Sequence, residues 1–203
     1  MEANINKVRR NVRRIYKETD ASLKHVQSVC LSGCAHCCHQ NIPVHAAEEH
    51  IITEFVDREF SEEQKDALSG RFHAWFRFMS ENTPNRDLSA RDILEFGAKL
   101  ISQMVPCPFL IDNLCSIYPV RPITCRTFYV SDNSDKCARN PGRVGNEKGY
   151  EIKTVALKEI ARVADYVQMR LLPYAVAEHL KVRKEVKRGI SSEVVFTIMS
   201  KAI

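Results

Sequence analysis

The apolar positions of the first stretch, Val8, Val12, Ile15, Leu23, Val26 and Val29, recur every three or four residues with a gap at Thr19. That period predicts an amphipathic helix over residues 4–29, with Lys7, Arg10, Arg14 and Lys17 on its polar side. The segment NIPVHAAEEHIITEFVDREF then passes Pro43 and turns helical near Ala46. Ser61 followed by Gln64 makes a capping box ahead of Leu68, Phe72, Trp75, Phe76 and Met79, a third helix that TPN at 83–85 ends. Helical spacing makes its aromatic side core rather than a binding face. Ser89 with Asp92 opens a fourth helix, through Ile93, Leu94, Phe96, Leu100 and Ile101 to Met104, which Pro106 stops.

Periodicity fails over residues 106–130, where four prolines interrupt short apolar runs and Asp112-Asn113 signals a turn. A small irregular hairpin is expected there. After the loop RNPGRVGNEKG, the residues Ile152, Val155, Ala156, Ile160, Val163, Val167 and Leu171 predict a long amphipathic helix interrupted by Pro173. A further helix is expected from Tyr174 to Lys187, with Gly189 as its stop signal. The expected fold is therefore mainly α: residues 1–203 as a single helical domain, with a cysteine-rich core over 30–137 flanked by the N-terminal helix and by C-terminal helices over 151–203.

A chain of 203 residues buries roughly 70% of the surface its unfolded form exposes and needs no crosslink to fold. Neither a signal peptide nor a run of ~18 apolar residues is visible, so a cytoplasmic, membrane-free protein is expected. In that compartment eight cysteines read as ligands or reactive thiols rather than disulfides. The formal charge of +5 counts every thiol as neutral, so it is weak support for a nucleic-acid partner. The basic run KVRKEVKR at 181–188 lacks interleaved aromatics and reads as a solvated helix face. Glycine-rich phosphate loops, Gly-x-Ser-x-Gly elbows and paired-carboxylate motifs are absent from the sequence. Any catalysis would fall to a metal or to the thiols.

The cysteines form two groups, Cys30, Cys34, Cys37 and Cys38, then Cys107, Cys115, Cys125 and Cys137, each where helix periodicity breaks. Thiolates suit zinc, copper(I) and iron–sulfur centres, and loops let several sulfurs converge on one ion. The two-residue spacing of Cys34 and Cys37 is a chelating bite. Adjacent Cys37 and Cys38 diverge, so they serve two centres, join a multinuclear cluster, or divide between ligation and packing. Cys30 and Cys137 read as ligands or as inert small residues, and His36 and His39 as ligands or as neighbours of a site. Glu48 and Glu49 suit a helix N-terminus in any case. Arg121 and Arg126 bracket Cys125, where surplus thiolate charge needs cations behind the ligands; an ion pair elsewhere is the other reading.

CLSGCAHCCHQNIPVHAAEE, followed downstream by CPFLIDNLCSIYPVRPITCRTF, resembles the cysteine-cluster proteins of the YkgJ type, the CxxCxxCC or zinc- or iron-chelating domain family. The resemblance implies a mostly helical domain binding zinc or iron through Cys34, Cys37, Cys38, Cys107, Cys115 and Cys125, with Cys30 and Cys137 as additions. One departure is that three residues, not two, separate Cys30 from Cys34. Flagellin lysine methylases share the family's motif beside an iron–sulfur centre, but this chain is shorter and carries no cofactor motif that would transfer that activity. A metal-binding protein with a structural or regulatory centre is expected; the alternative is an iron–sulfur redox or group-transfer enzyme. The protein partner and the enzyme question stay open at this level.

Overall fold

A computed structural model describes residues 2–140 and 145–181. Among them are eight α-helices: α1 Glu2–Leu23, α2 Ala46–Glu59, α3 Glu62–Asn82, α4 Ala90–Ser102, α5 Ile123–Arg126, α6 Asp135–Arg139, α7 Glu147–Ala164 and α8 Leu172–Ala177. Four short strands accompany them, β1 Pro43–His45, β2 Leu110–Ile111, β3 Leu114–Cys115 and β4 Met169–Leu171. The fold is mainly helical, with two small antiparallel sheets, β1–β4 and β2–β3.

Two apolar clusters organise it. Val8, Val12, Ile15 and Tyr16 of α1 pack with Ala47 and Ile51 of α2, Ile123 of α5, and Ala156, Ile160 and Ala164 of α7. The second and larger cluster joins Ile52 and Val56 of α2 to the aromatic side of α3, to Ile93, Phe96 and Leu100 of α4, and to β4 and α8. Helix α2 is buried on two sides, which is why its pattern is less one-sided than that of α4. Within the larger cluster Trp75 meets Phe76, Phe96 and Tyr174 edge-on at 5.3, 5.4 and 6.4 Å. This geometry sets the positive ring edge on the negative face. The aromatic stripe is core.

The capping boxes at Ser61 and Ser89 are both formed, and a third uses His45, whose Nδ1 accepts from Ala47 while Glu48 accepts from the His45 backbone N–H. The Asp112-Asn113 turn joins β2 to β3 with both residues at positive φ, 49° and 61°, the conformation of a tight two-residue hairpin.

Three boundaries differ from the periodicity. Helix α1 stops at Leu23 rather than 29, and Val29 instead donates its N–H to Val130 O at 3.0 Å. The apparent gap at Thr19 is buried within the stripe. Helix α7 ends at Ala164 on Asp165, left-handed at φ 62°. Leu171 then belongs to β4, paired with Pro43, while Val167 is exposed. A three-residue strand carries no period of its own, so Val167 and Leu171 completed a helical pattern by coincidence. Helix α8 ends at Ala177; Gly189 and nearly all of KVRKEVKR lie outside the described residues.

Candidate metal centre

The first cysteine loop is shaped by one glycine. Gly33 sits at φ +84°, a left-handed conformation that other residues adopt at a cost, and Cys34 N–H closes the turn on Leu31 O at 3.0 Å. A 3-10 turn over His36–His39 follows, so Cys37 and Cys38 lie on consecutive positions of a tight coil. The N–H of His36 donates to the Cys34 thiol.

The second stretch is fastened directly to that turn, because Cys107 N–H donates to Cys38 O at 2.7 Å. The hairpin then repeats the local pattern of the first loop: the N–H of Phe109 donates to the Cys107 thiol and that of Ile117 to the Cys115 thiol. An N–H aimed at sulfur favours the thiolate. Three of the eight cysteines thus carry a donor from two residues downstream. Cys125 rides on α5, which is tied to the first loop's exit by Thr124 Oγ1 donating to Pro43 O at 2.7 Å and Ile123 N–H donating to Glu48 Oε1 at 2.8 Å.

Electrostatics reports which thiols share space. Cys37 is pushed upward by its hydrogen bond with Cys38 and then by burial. Burial pushes Cys107 up to about 12, with Cys115 and Cys37 adding to the shift. Cys125 lies well above the ordinary thiol range through burial and through Cys107, Cys37 and Cys115. Cys115 is raised by burial and by Cys37. Cys37 of the first loop therefore acts on Cys107 and Cys115 of the hairpin segment and on Cys125 of α5. Cys34 is raised by burial and by Cys30, Cys37 and Cys137, so Cys37 acts on it as well.

Opposing charge comes from one side. The Arg121 guanidinium lies 3.7 Å over the Tyr118 ring and its charge favours the thiolates of Cys37, Cys115 and Cys125. Its Nε and Nη1 are buried without a hydrogen-bond partner. An orphaned buried cation costs several kcal/mol unless an anion faces it, and these thiols become such anions once they lose their protons. Arg126 is placed differently. Its Nη1 pairs with both oxygens of Asp20 at 2.8 and 2.7 Å, Nη2 donates to Pro119 O at 2.9 Å, and its charge sits 4.4 Å over the Tyr16 ring. The ion-pair alternative describes Arg126 as it stands.

The remaining candidates are Cys30, exposed, Cys137, buried on α6, half-buried His36, and buried His39, whose Nδ1 has no partner. As they stand, no three His, Cys, Asp or Glu side chains among the described residues are arranged to hold an ion. Protonated thiols hydrogen-bond one another and pack as small apolar groups; ligation requires each to lose its proton. In chemistry the set still fits a soft metal: clustered sulfurs, N–H donors and an unpaired guanidinium.

Residues 29–142 match the family model CxxCxxCC, "Putative zinc- or iron-chelating domain". The chain belongs to the CxxCxxCC family. No curated protein and no solved structure matches the chain. In this CxxCxxCC chain the matched segment contains all eight cysteines and both arginines of "RPITCR". Sequence reading passed over the residue that joins its halves, Glu48, which was assigned to the helix dipole. Glu48 is fully buried and accepts from Tyr16 OH at 2.9 Å, Ile123 N–H at 2.8 Å and His45 N–H at 2.9 Å. Its signal was the three-residue spacing from His45, read without recognising imidazole as a cap.

Proposed function

We propose that the chain is a cysteine-ligated metal-binding protein whose zinc or iron centre is structural or regulatory, with Cys37, Cys38, Cys107, Cys115 and Cys125 at its heart and Arg121 behind them. The observation that carries this reading is the meeting of Cys37 with Cys107, Cys115 and Cys125 around the unpaired nitrogens of Arg121. When bound, the metal supplies a dianionic tetrathiolate crosslink between pieces of chain that are far apart in sequence. The chain's own residues do the rest. Backbone N–H groups of Phe109 and Ile117 hold sulfur charge, and Arg121 offsets it. The core beneath Cys107, Cys115 and Cys125 keeps water out. A reducing compartment such as the cytoplasm suits eight cysteines that form no disulfide among the described residues. No helix among the described residues is long and apolar enough to cross a membrane.

A second reading makes the centre an iron–sulfur site for redox or group transfer. It is favoured by sulfur in excess of four ligands, Cys38 lying hydrogen-bonded to Cys37. Elemental analysis and an absorption spectrum of anaerobically prepared protein separate the two. Stoichiometric zinc and no visible colour supports the first and rejects the second. A brown protein that bleaches on reduction does the opposite, and protein free of both metals overturns both.

A further inference from the structure

We propose that the outward face of α1 docks on the phosphodiester backbone of a double-stranded nucleic acid. No thiol takes part, so this face and the metal centre are independent of one another.

The formal charge of +5 is the balance of 30 basic and 25 acidic residues spread over the whole chain, and as an average it points nowhere. Folding gathers part of it in one place. Val8, Val12, Ile15 and Tyr16 turn one side of α1 into the core, which leaves Lys7, Arg10, Arg13, Arg14 and Lys17 exposed on the other. Lys7 and Lys17 stand about 15 Å apart along the axis at 1.5 Å per residue. No acidic residue occurs in the chain between Glu2 and Glu18.

The neighbouring helices do not neutralise this row. Glu54 of α2 is shared by Arg9, Arg13 and Arg58 at 3.2, 2.8 and 3.8 Å. Glu159 of α7 is shared by Arg14 and Arg162 at 3.2 and 2.7 Å, and Glu18, at the end of the row, takes Arg14 at 2.7 Å. Both flanks thus carry more guanidinium than carboxylate charge, held in place by the shared anions. Lys7, Arg10 and Lys17 have no hydrogen bond or ion pair among the described residues.

The composition of the face selects the partner. Apart from Ala21, every exposed residue of α1 from Asn4 to Ser22 is polar or charged. A protein interface of useful strength has an apolar or aromatic centre, and a helix held at a membrane surface inserts apolar residues; this face offers neither. Without an aromatic side chain it also lacks the platform on which unpaired bases stack. A duplex backbone needs none of these, because affinity comes from release of condensed counterions as cations replace them at successive phosphates. Arginine, which outnumbers lysine here, matches phosphate oxygens through its planar fork. Such a contact reads charge and spacing rather than base sequence.

The test is binding of labelled DNA and RNA duplexes to the full-length protein, prepared reduced and with its metal content recorded, followed by anisotropy across a salt series. Binding to either duplex counts as support. Three unpaired cations predict a slope of log K on log salt of about −3, at about −0.9 per phosphate. Arg10→Ala combined with Lys17→Ala should make the slope shallower by about 2 and weaken binding at low salt at least about tenfold. Arg77→Ala combined with Arg91→Ala removes the same charge from α3 and α4, which belong to the other apolar cluster, and should leave the slope unchanged. The proposal is overturned by absence of binding at low salt, by equal loss in the two double variants, or by tighter binding to single strands or anionic phospholipid vesicles than to duplex. Should the α1 variant fail to fold by circular dichroism, the wild-type slope decides: one shallower than about −2 overturns the proposal, and one of about −3 or steeper supports it.

Discussion

Glu48 Oε1 accepts the backbone N–H of Ile123 at 2.8 Å, so the helix that carries Cys125 is bolted to the helix that leaves the first cysteine loop. The same carboxylate accepts the Tyr16 hydroxyl and the His45 N–H, bringing α1, α2 and α5 to one buried point. Burial raises its pKa while these donors draw it back down. One acidic side chain thereby sets the spacing of the two halves of the cysteine motif.

Glu48→Gln tests that role. Glutamine offers one oxygen and turns an NH2 toward a donor, leaving a buried hydrogen bond unmade at a cost of about 1–3 kcal/mol. Denaturant unfolding of the metal-free protein should show this loss, and zinc affinity should fall with it. Affinity unchanged beside a clear stability loss would separate Glu48 from the metal centre.

Metal removal should lower the melting temperature sharply, because a structural thiolate site supplies several kcal/mol or more of folding free energy. The check is calorimetry before and after chelation with metal content verified. An unchanged melt would show that the thiols are not holding the fold together.

The His45 ring uses both nitrogens in its neutral form. Nδ1 accepts from Ala47 N–H at 3.1 Å and Nε2 faces Tyr166 O at 3.1 Å, as a donor in that tautomer. Burial lowers its pKa below 6.5. The unfolded chain therefore takes up the proton at higher pH than the folded one. The contribution is full above that value and is lost as pH falls through it. His50 shifts the same way through burial and Arg9, and Glu48 gives the opposite slope at more acid pH. Comparison with His45→Asn, which keeps a capping oxygen, isolates the term: its stability should decline less than wild type between about pH 7.5 and 5.5. Parallel declines would exclude His45.

Gly149→Ala should destabilise, against the usual helix preference for alanine of about 1 kcal/mol. A Cβ there would stand 2.3 Å from Thr127 O and 2.8 Å from a Tyr129 ring carbon. Overpacking of that kind costs about 1–3 kcal/mol. A thermal midpoint equal to or above wild type would show that α7 can move away from the residues following α5.

Phe72→Ala should cost about 3–5 kcal/mol. Phe72 is fully buried, stacked near Phe76 at 6.5 Å and edge-on to Phe109 at 5.6 Å. Because Phe109 follows Cys107 by two residues and its N–H serves that sulfur, the substitution should also loosen metal binding. Intact affinity at reduced stability would show that the hairpin holds its thiols without support from α3.

The long helices were legible because α3 and α4 bury one side each, so their period survives in the sequence, and because serine caps announce their starts. The hairpin was legible from Asp112-Asn113. The family's motif was likewise written in the chain, since the thiols, their spacing and the proline-broken segments are local facts. What depended on tertiary structure lay between distant residues. A strand of three residues has no period, so β1 and β4 exist only because each finds the other across most of the chain. Glu48 became a buried junction only when Tyr16 and Ile123 converged on it. The grouping of the sulfurs was decided in the same way. Sequence order ranks Cys137 with Cys125, but α6, which carries it, packs on the His36–His39 turn of the first loop. Proximity between elements is set by how their apolar faces share a core, and that information is not local to any one of them.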